Sequence, residues 1–202
     1  MPFGEGIFYE GKYEDDPVYP LYIQCITCAF EIKKDHIPTI QIKEKGRRSI
    51  FKQNEYLESS LGEIVTLVLT SVDLKLFLEH YDIYDEKYEC GWKFKQMTGI
   101  FTEYIDKWIG EKIKASKEGN KGKRQIAKLM LNSLYGKFAT SLELQSKKPL
   151  LCEDGHIAYE DLDPEIVDGM YIPIGAFITA YAREKTIRTS QAIKTYSIET
   201  YG

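Results

Sequence analysis

The chain contains 202 residues, of which 43% are hydrophobic and 13% aromatic, and its formal net charge is −4. This hydrophobic content is enough to bury a core in one large domain or two small ones, which excludes a disordered protein. The acidic balance excludes binding of nucleic acid by bulk charge alone. Because the sequence has no apolar segment long enough to cross a bilayer, we expect a cytosolic protein with no membrane partner.

The N-terminal third has the alternating pattern and the turn residues of a β-rich region. Strands are predicted at residues 6–13, 21–33, 39–43 and 63–70. Cys25 and Cys28 have Cys-x-x-Cys spacing, but side chains three residues apart in a strand point to opposite faces. No second pair of ligands follows at zinc spacing, so we predict reduced cysteines without metal or redox use.

The next part of the chain combines helices with a strand. Ser71 is predicted to cap a short helix with a buried side at helical spacing. The residues on that side are Leu74, Phe77, Leu78 and Tyr81. His80, on the same helix, is interpreted as structural. A strand is predicted at residues 87–95 and a second helix at residues 98–115.

Residues 107–128 form a strongly basic segment, with eight lysine and arginine residues against two glutamates. Within it, residues 116–123 are predicted to link two helices that pair as an antiparallel hairpin. The segment is either a solvated linker or a surface for a polyanion. It is not a phosphate-binding P-loop, since the first glycine is missing and Arg124 stands where that motif has Ser or Thr.

Residues 124–137 are predicted to form a helix with two distinct sides. The polar side carries Arg124, Lys128, Asn132 and Tyr135. The apolar side carries Ile126, Leu129, Met130 and Leu134. Two cations, an amide and a phenol beside Gly136, whose small size admits a ligand to the backbone, suit a ligand with phosphates and a base. The alternative is a helix face that is only solvated.

Residues 140–170 are turn-rich and acidic, and a hairpin is predicted through residues 152–156. An acidic cluster in this stretch matches no calcium-loop spacing and is interpreted as surface. Its members are Asp161, Asp163 and Glu165.

The last helix is predicted to open at Pro173. Its polar stripe consists of Thr179, Arg183, Thr186 and Ser190. The opposite, apolar side consists of Ile174, Phe177, Ile178, Tyr181, Ala192 and Tyr196. Short hydroxyl side chains with a single arginine suit a sugar-phosphate backbone. The alternative is a structural arginine that joins this helix to its neighbours.

The order of residues on the polar helix adds a specific signal. Lys128-x-x-x-Asn132-Ser133-x-Tyr135-Gly136 resembles the fingers-helix motif of family B DNA polymerases. The wider stretch from Ala127 to Phe138 resembles the version of this motif in the protein-primed polymerases of tailed bacteriophages.

The resemblance to this branch extends over nearly the whole chain. Thr179-Ala180-Tyr181-Ala182-Arg183 resembles the Thr-x-x-Ala-Arg primer–template motif of the family. Further similar segments are residues 38–43, 54–57, 72–74, 79–82, 93–95 and 101–108.

The resemblance implies an α+β fold with a β-rich N-terminal subdomain, an antiparallel helical fingers hairpin and a C-terminal palm helix. Residues 1–96 would form a palm insertion that contacts the priming terminal protein and the template. Residues 97–138 would form the fingers, and residues 139–172 a hairpin-like second insertion associated with strand displacement. Residues 173–202 would form part of the palm.

The resemblance also assigns roles to individual residues. The nucleotide-binding residues would be Lys112, Arg124, Lys128, Asn132, Tyr135 and Gly136. The DNA-binding residues would be Thr179, Ala182 and Arg183. The lysines would neutralise triphosphate oxygens, the asparagine would hydrogen-bond near the nucleotide, and the tyrosine would pack on its sugar and base. The implied partners are primer–template DNA, a deoxynucleoside triphosphate and the terminal protein.

Two motifs of the family are missing from the sequence. Phosphoryl transfer needs carboxylates that hold two metal ions, and the family supplies them from Asp-x-x-Ser-Leu-Tyr-Pro and Asp-Thr-Asp, neither of which occurs here. We therefore expect a polymerase fragment with no catalytic or metal-binding residues, which is inactive alone, while the parent enzyme uses Mg²⁺.

By the same resemblance, the protein would be encoded by a phage or prophage and would act in the cytoplasm of the bacterial host. The first alternative is a non-catalytic prophage remnant that binds DNA or terminal protein. The second alternative is a structural α+β domain.

Overall fold

The computed structural model describes residues 1–41, 55–138, 143–166 and 171–201. The chain divides into two compact units, one formed by Met1–Ile100 with Ala176–Gly202 and the other by Phe101–Gly175. Strands and helices occur together, which confirms the predicted α+β class. No helix within the described ranges is long and apolar enough to cross a membrane.

The first unit is built on one antiparallel sheet. Its elements are β1 (Pro2–Glu10), β2 (Leu21–Ile32), β3 (Val65–Thr70), α1 (Ser71–His80) and β4 (Tyr81–Gln96). The strands lie in the order β1-β4-β2-β3. β2 pairs with β4 on one side and β3 on the other, so it is an interior strand, and it supplies much of the core.

The core of this unit lies where α1 packs against β2. The rings of Phe30, Phe77 and Tyr81 contact one another with centroid distances of 5.5, 5.1 and 5.0 Å, a geometry that aromatic clusters favour. The buried Tyr81 hydroxyl accepts a hydrogen bond from the Thr39 amide at 2.7 Å and donates to the Leu57 carbonyl at 2.8 Å. One phenol therefore ties two loop segments to the aromatic core.

Several predicted details of this unit are wrong. The strands predicted at residues 6–13 and 87–95 begin earlier, at Pro2 and Tyr81, so Tyr81 belongs to β4 and not to the helix. Thr70, not Ser71, caps α1, because its hydroxyl accepts a hydrogen bond from the Asp73 amide at 3.1 Å. Leu78, placed on the buried side, is 38% exposed. The predicted strand at residues 39–43 is reduced to a single bridge between Ile40 and Leu57, and its last two residues lie outside the described part of the chain.

The second unit and the last helix complete the chain. The elements are α2 (Thr102–Lys117), α3 (Lys121–Phe138), β5 (Glu143–Leu144), β6 (Lys147–Leu151), β7 (Ile157–Asp161), β8 (Glu165–Ile166) and α4 (Ile172–Tyr201). β5 pairs with β8, and β6 pairs with β7 as the hairpin predicted through residues 152–156. α4 begins one residue before the predicted Pro173, and α2 begins later than predicted.

Candidate functional site

The two helices of the second unit form an antiparallel hairpin, as predicted. At its open end the Phe101 and Phe138 rings lie 5.4 Å apart. Further along, the Tyr104 hydroxyl donates a hydrogen bond to the Met130 carbonyl at 2.8 Å. A single alanine is fully buried on each helix, Ala115 on α2 and Ala127 on α3.

The turn between these helices is much shorter than the predicted linker at residues 116–123. Gly119 has a φ of +67°, and the amides of Gly119 and Asn120 donate to the carbonyls of Ser116 and Ala115 at 3.3 and 2.9 Å. These bonds close the end of α2 in the manner of a Schellman cap. The Asn120 side chain then accepts from the Lys123 amide at 3.0 Å and caps α3, so helix occupies most of the basic segment.

The polar side predicted on α3 lies on the surface. Arg124, Lys128, Asn132, Tyr135 and Gly136 are all exposed. We call the first four residues the α3 stripe. A Cβ built on Gly136 meets no atom within 4 Å, so packing does not demand a glycine there.

The apolar side of α3 is only partly as predicted. Ile126 and Leu129 are 56% and 53% exposed, whereas Met130 and Leu134 are half-buried. The packed side is a narrow seam, because a two-helix hairpin buries the heptad positions rather than a wide face. Its residues are Ala127, Met130, Leu131, Leu134 and Phe138.

The cations of the α3 stripe are not neutralised by the described part of the chain. Neither Arg124 nor Lys128 forms an ion pair with a described residue. Lys112 is half-buried and follows Tyr104 and Trp108 on the packed side of α2 at helical spacing. The stripe therefore presents two positive charges, an amide and a phenol to whatever approaches it.

The polar stripe predicted on α4 has a different environment. The Arg183 guanidinium donates two hydrogen bonds to the Asp73 carboxylate of α1, from Nε to Oδ1 at 2.8 Å and from Nη2 to Oδ2 at 3.1 Å. The Asp73 side chain is 10% exposed and that of Arg183 is 39% exposed. Two charge-assisted hydrogen bonds of this kind make a strong arginine–carboxylate contact with a fixed orientation.

Asp73 is itself fixed by the start of α1. Its amide donates to the Thr70 hydroxyl at 3.1 Å, and that hydroxyl donates to its Oδ2 at 3.0 Å. The pair thus joins α4 to the cap of α1. Arg183 and Asp73 also line an open cleft of about 650 Å³ along β3.

Further polar contacts hold α4 against the first unit. Arg188 bonds to Glu79 at 2.9 Å, which lowers the pKa of that carboxyl, and to Glu184 at 2.9 Å. The Gln191 side chain accepts from the Ile37 amide at 3.0 Å and donates to the Asp35 carbonyl at 3.0 Å. Charged and amide side chains of α4 therefore bond it to α1 and to the loop at residues 35–37.

The other residues predicted on the two sides of α4 are bonded within the helix, exposed or buried. The Thr179 and Thr186 hydroxyls donate to carbonyls of their own helix at 2.8 and 2.9 Å, and Ala182 is exposed. Ala192 and Tyr196, placed on the apolar side, are exposed. Where burial is described along α4, the buried hydrophobic residues are Ile174, Phe177, Ala180 and Ile187.

Comparison with known proteins decides the family. The sequence matches the family described as "DNA polymerase type B, organellar and viral" over residues 1–201. The chain belongs to this family. It is 51% identical to the DNA polymerase of Bacillus phage phi29 over 192 residues, covering 95% of this chain and 32% of the relative. It is 35% identical to the DNA polymerase of Streptococcus phage Cp-1 over 196 residues, covering 95% of this chain and 33% of the relative.

The fold agrees with solved structures of the same family. The chain superposes on phi29 DNA polymerase complexed with primer–template DNA and incoming nucleotide substrates with a TM-score of 0.87 and 49% identity, covering 96% of this chain and 33% of that one. The binary complex of phi29 DNA polymerase with primer–template DNA gives a TM-score of 0.85 at 48% identity, covering 96% and 32% of the two chains. The chain therefore spans about a third of the length of these type B polymerases.

A type B polymerase transfers phosphoryl groups with a divalent metal, which requires neighbouring carboxylates. Across the described ranges, the one group of three or more His, Cys, Asp and Glu side chains whose ligand atoms lie close together is Cys152, Asp154 and His156. A thiol, an imidazole and one carboxylate do not form a centre for two hard cations. Asp73, which is nearly buried, is bonded to Arg183. No group of three or more such side chains among the described residues therefore fits such a centre.

Sequence reasoning missed the partner of Arg183. Asp73 lies in the first turn of α1, where an acidic residue is ordinary because it complements the helix dipole. Its burial at 8% exposure is the property that sets it apart, and a carboxylate so buried requires a cation or several donors.

Proposed function

We propose that this chain forms the nucleotide-binding and part of the DNA-binding surface of a protein-primed, DNA-directed DNA polymerase. The observation that carries the proposal is the α3 stripe, which is exposed and unpaired within the described residues although it carries two cations. The solved phi29 polymerase complexes with primer–template DNA and nucleotides support it. The metal-binding carboxylates, which would hold Mg²⁺, would come from outside the described residues.

The stripe suits a nucleoside triphosphate for chemical reasons. The Lys128 ammonium is a compact cation that would neutralise phosphate oxygens, and Arg124 and Lys112 would add charge along the same hairpin. The amide of Asn132 can both donate and accept beside the sugar or base. The Tyr135 ring would pack on the sugar and base. At Gly136 the missing side chain would let the ligand reach the helix.

The first unit would contact the other macromolecules. Arg183, with Thr179 and Ala182 on the same helix, would lie along the primer–template backbone, and Asp73 would fix the plane of its guanidinium. A phosphate contact of this kind positions DNA without reading its sequence. The β-rich part of this unit would meet the terminal protein that supplies the priming hydroxyl. The relatives are phage polymerases, so the protein would act in the cytoplasm of a bacterial host.

The proposal is tested in a hybrid enzyme in which this chain replaces the matching third of phi29 DNA polymerase. We expect the hybrid to extend a primer with Mg²⁺ and all four nucleotides, whereas the chain alone incorporates none. A folded hybrid that fails to incorporate nucleotides contradicts the proposal and favours the alternative, a protein that binds DNA or terminal protein without chemistry.

Lys128→Ala in the hybrid then tests the stripe. A charge-assisted contact to phosphate contributes about 1.5–3 kcal/mol, so kcat/KM for the nucleotide should fall about tenfold to a hundredfold. Lys137→Ala is the matched control, because Lys137 is an exposed lysine on the same helix outside the stripe. Equal losses from the two variants would show that bulk charge, rather than the stripe, matters.

Arg183→Ala tests the DNA contact in the same hybrid. It should weaken primer–template binding equally for unrelated sequences and flatten the slope of log affinity against log salt by about one unit. Nucleotide KM at saturating DNA should change much less than in Lys128→Ala. An unchanged salt slope together with a lower melting temperature would show that Arg183 stabilises the fold through Asp73 and does not contact DNA.

A further inference from the structure

The loop of the β6–β7 hairpin brings together three side chains of different chemistry. The Cys152 thiol, an Asp154 carboxylate oxygen and a His156 ring nitrogen all lie within 4.8 Å of one another. The His156 Nδ1 is 2.6 Å from the Asp154 Oδ1. The Asp154 and His156 side chains are exposed, and that of Cys152 is half-buried.

The backbone of the loop fixes this arrangement. The Cys152 amide donates to the His156 carbonyl at 2.9 Å, and the Gly155 amide donates to the Cys152 carbonyl at 2.9 Å. Gly155 has a φ of +86°. These bonds define a three-residue hairpin loop that ends in a left-handed residue. Cys152 directly follows β6 and His156 directly precedes β7, so the two residues lie opposite each other, where side chains share one face. Asp154 lies between them in the turn.

We propose that this hairpin loop is a binding site for Zn²⁺ or a cation of the same class, ligated by Cys152, Asp154 and His156 with a water molecule as the fourth ligand. The site is separate from polymerase chemistry and does not rest on the proposed function. It would clamp the loop to both strands of the hairpin.

The ligand set selects the cation. Thiolate and imidazole favour Zn²⁺ over Mg²⁺ or Ca²⁺, which prefer oxygen ligands. Around tetrahedral Zn²⁺ the bonds are about 2.0 Å to nitrogen or oxygen and about 2.3 Å to sulfur, so ligand atoms lie about 3.3–3.6 Å apart. In this structure the ligand atoms are between 2.6 and 4.8 Å apart, which includes that range, and rotation of the three side chains brings them to it. On binding, the thiol proton passes to solvent and the thiolate becomes the ligand.

Two other cysteines make a competing site that the experiment must separate. Cys25 and Cys90 are directly opposite each other in the β2–β4 pairing, and both thiols are half-buried. The double variant Cys25→Ser/Cys90→Ser removes this pair and leaves the hairpin intact. It is the matched control for Cys152→Ser.

The test is a titration of the reduced, metal-free chain with Co²⁺, which reports thiolate ligation by its charge-transfer absorption, followed by displacement with Zn²⁺. We expect one Co²⁺ per chain, no competition from excess Mg²⁺, and unchanged binding in the Cys25→Ser/Cys90→Ser control. Cys152→Ser should abolish the charge-transfer band. His156→Ala and Asp154→Asn should each weaken Zn²⁺ binding at least about tenfold, since even loss of an outer partner of a metal ligand costs about 10–100-fold.

Two results would overturn the site. One is the absence of a thiolate–cobalt band in the chain without substitutions. The other is a band that persists in Cys152→Ser and disappears in the control, which would assign the cation to the sheet thiols. Thermal melts of all variants without metal show whether each remains folded, and because the loop lies at the surface we expect melting temperatures close to that of the parent.

Discussion

Two helices of this molecule carry polar stripes that look alike in the sequence and differ in the structure. On α3 the cations Arg124 and Lys128 are exposed and form no ion pair within the described residues. On α4 the guanidinium of Arg183 is joined to Asp73 by a parallel pair of hydrogen bonds. Helical spacing identifies the face on which a side chain lies, but it does not reveal which charge elsewhere in the chain will meet it.

The difference has a physical origin in what each helix packs against. The α2–α3 hairpin buries a narrow seam, so most of the α3 surface stays in solvent. α4 follows the end of α1 and the loop at residues 35–37, whose backbone carbonyls and carboxylates are bonded by side chains of α4. A helix that packs against polar loops uses its polar residues for structure, whereas a helix in a hairpin leaves them available to a ligand.

The largest expected effect is that of Asp73→Ala on stability. This change leaves the Arg183 guanidinium without its carboxylate and removes a contact to the Thr70 cap. Breaking a buried pair costs about 3–5 kcal/mol, and the partial exposure of Arg183 reduces this, so we expect a loss of about 2–3 kcal/mol in the free energy of unfolding by urea.

The control for Asp73→Ala is Asp106→Ala, which removes an exposed carboxylate from α2. Surface substitutions of this kind usually change stability by less than about 0.5 kcal/mol. Equal losses of unfolding free energy in the two variants would mean that the Asp73–Arg183 pair contributes little to stability. The polar stripe of α4 would then not differ from that of α3 in its structural role.

A smaller effect is expected from enlarging the seam of the helical hairpin. Ala127 is 1% exposed, so Ala127→Leu overpacks the contact between α2 and α3 and should cost about 1–3 kcal/mol. Ile126→Leu, one residue away but 56% exposed, should have almost no effect. Circular dichroism melts compare the stability of the two variants directly. A larger loss in Ile126→Leu than in Ala127→Leu would support the wider apolar face predicted from the sequence.

Much of the fold follows from sequence patterns because the relevant forces are local. The interior strand β2 and the edge strand β3 were predicted within two residues at each end, since alternation and flanking turn residues define them. The turn of the helical hairpin was predicted too long because its lysines are typical of a solvated loop. In the structure Gly119 ends α2 and Asn120 caps α3, so the turn is short. The Ser71 assignment failed because two residues that can cap a helix are adjacent, and the Thr70 hydroxyl makes the capping bond.

The candidate site divides in the same way. The exposure of Lys128, Asn132 and Tyr135 could be predicted because helical spacing alone sets their common side. The bond between Asp73 and Arg183 could not, because 110 residues separate the two in sequence and only the tertiary fold brings them together. The apolar side of α3 was predicted too wide because the sequence does not show how narrow the contact between α3 and α2 is.

The smallest expected effect separates folding from ligand binding at Gly136. A Cβ there meets no atom within 4 Å, so Gly136→Ala should stabilise α3 by about 0.5–1 kcal/mol. In the hybrid polymerase the same methyl group should raise the nucleotide KM. Gly110→Ala on α2 is the control, since its Cβ also meets nothing within 4 Å, and it should stabilise without altering KM. A Gly136→Ala enzyme with unchanged KM would remove Gly136 from the site.

The contrast between the two stripes is tested most directly by the free energies of urea unfolding of Lys128→Ala and Arg183→Ala in this chain. We expect Lys128→Ala to stay within about 0.5 kcal/mol of the parent, because an exposed cation without an ion-pair partner contributes little to stability. Arg183→Ala should lose about 1–3 kcal/mol, because it leaves the nearly buried Asp73 carboxylate without a cation and with only the Thr70 hydroxyl as a side-chain donor among the described residues. A loss in Lys128→Ala as large as that in Arg183→Ala would show that the α3 stripe is bonded within the fold and is not open to a ligand.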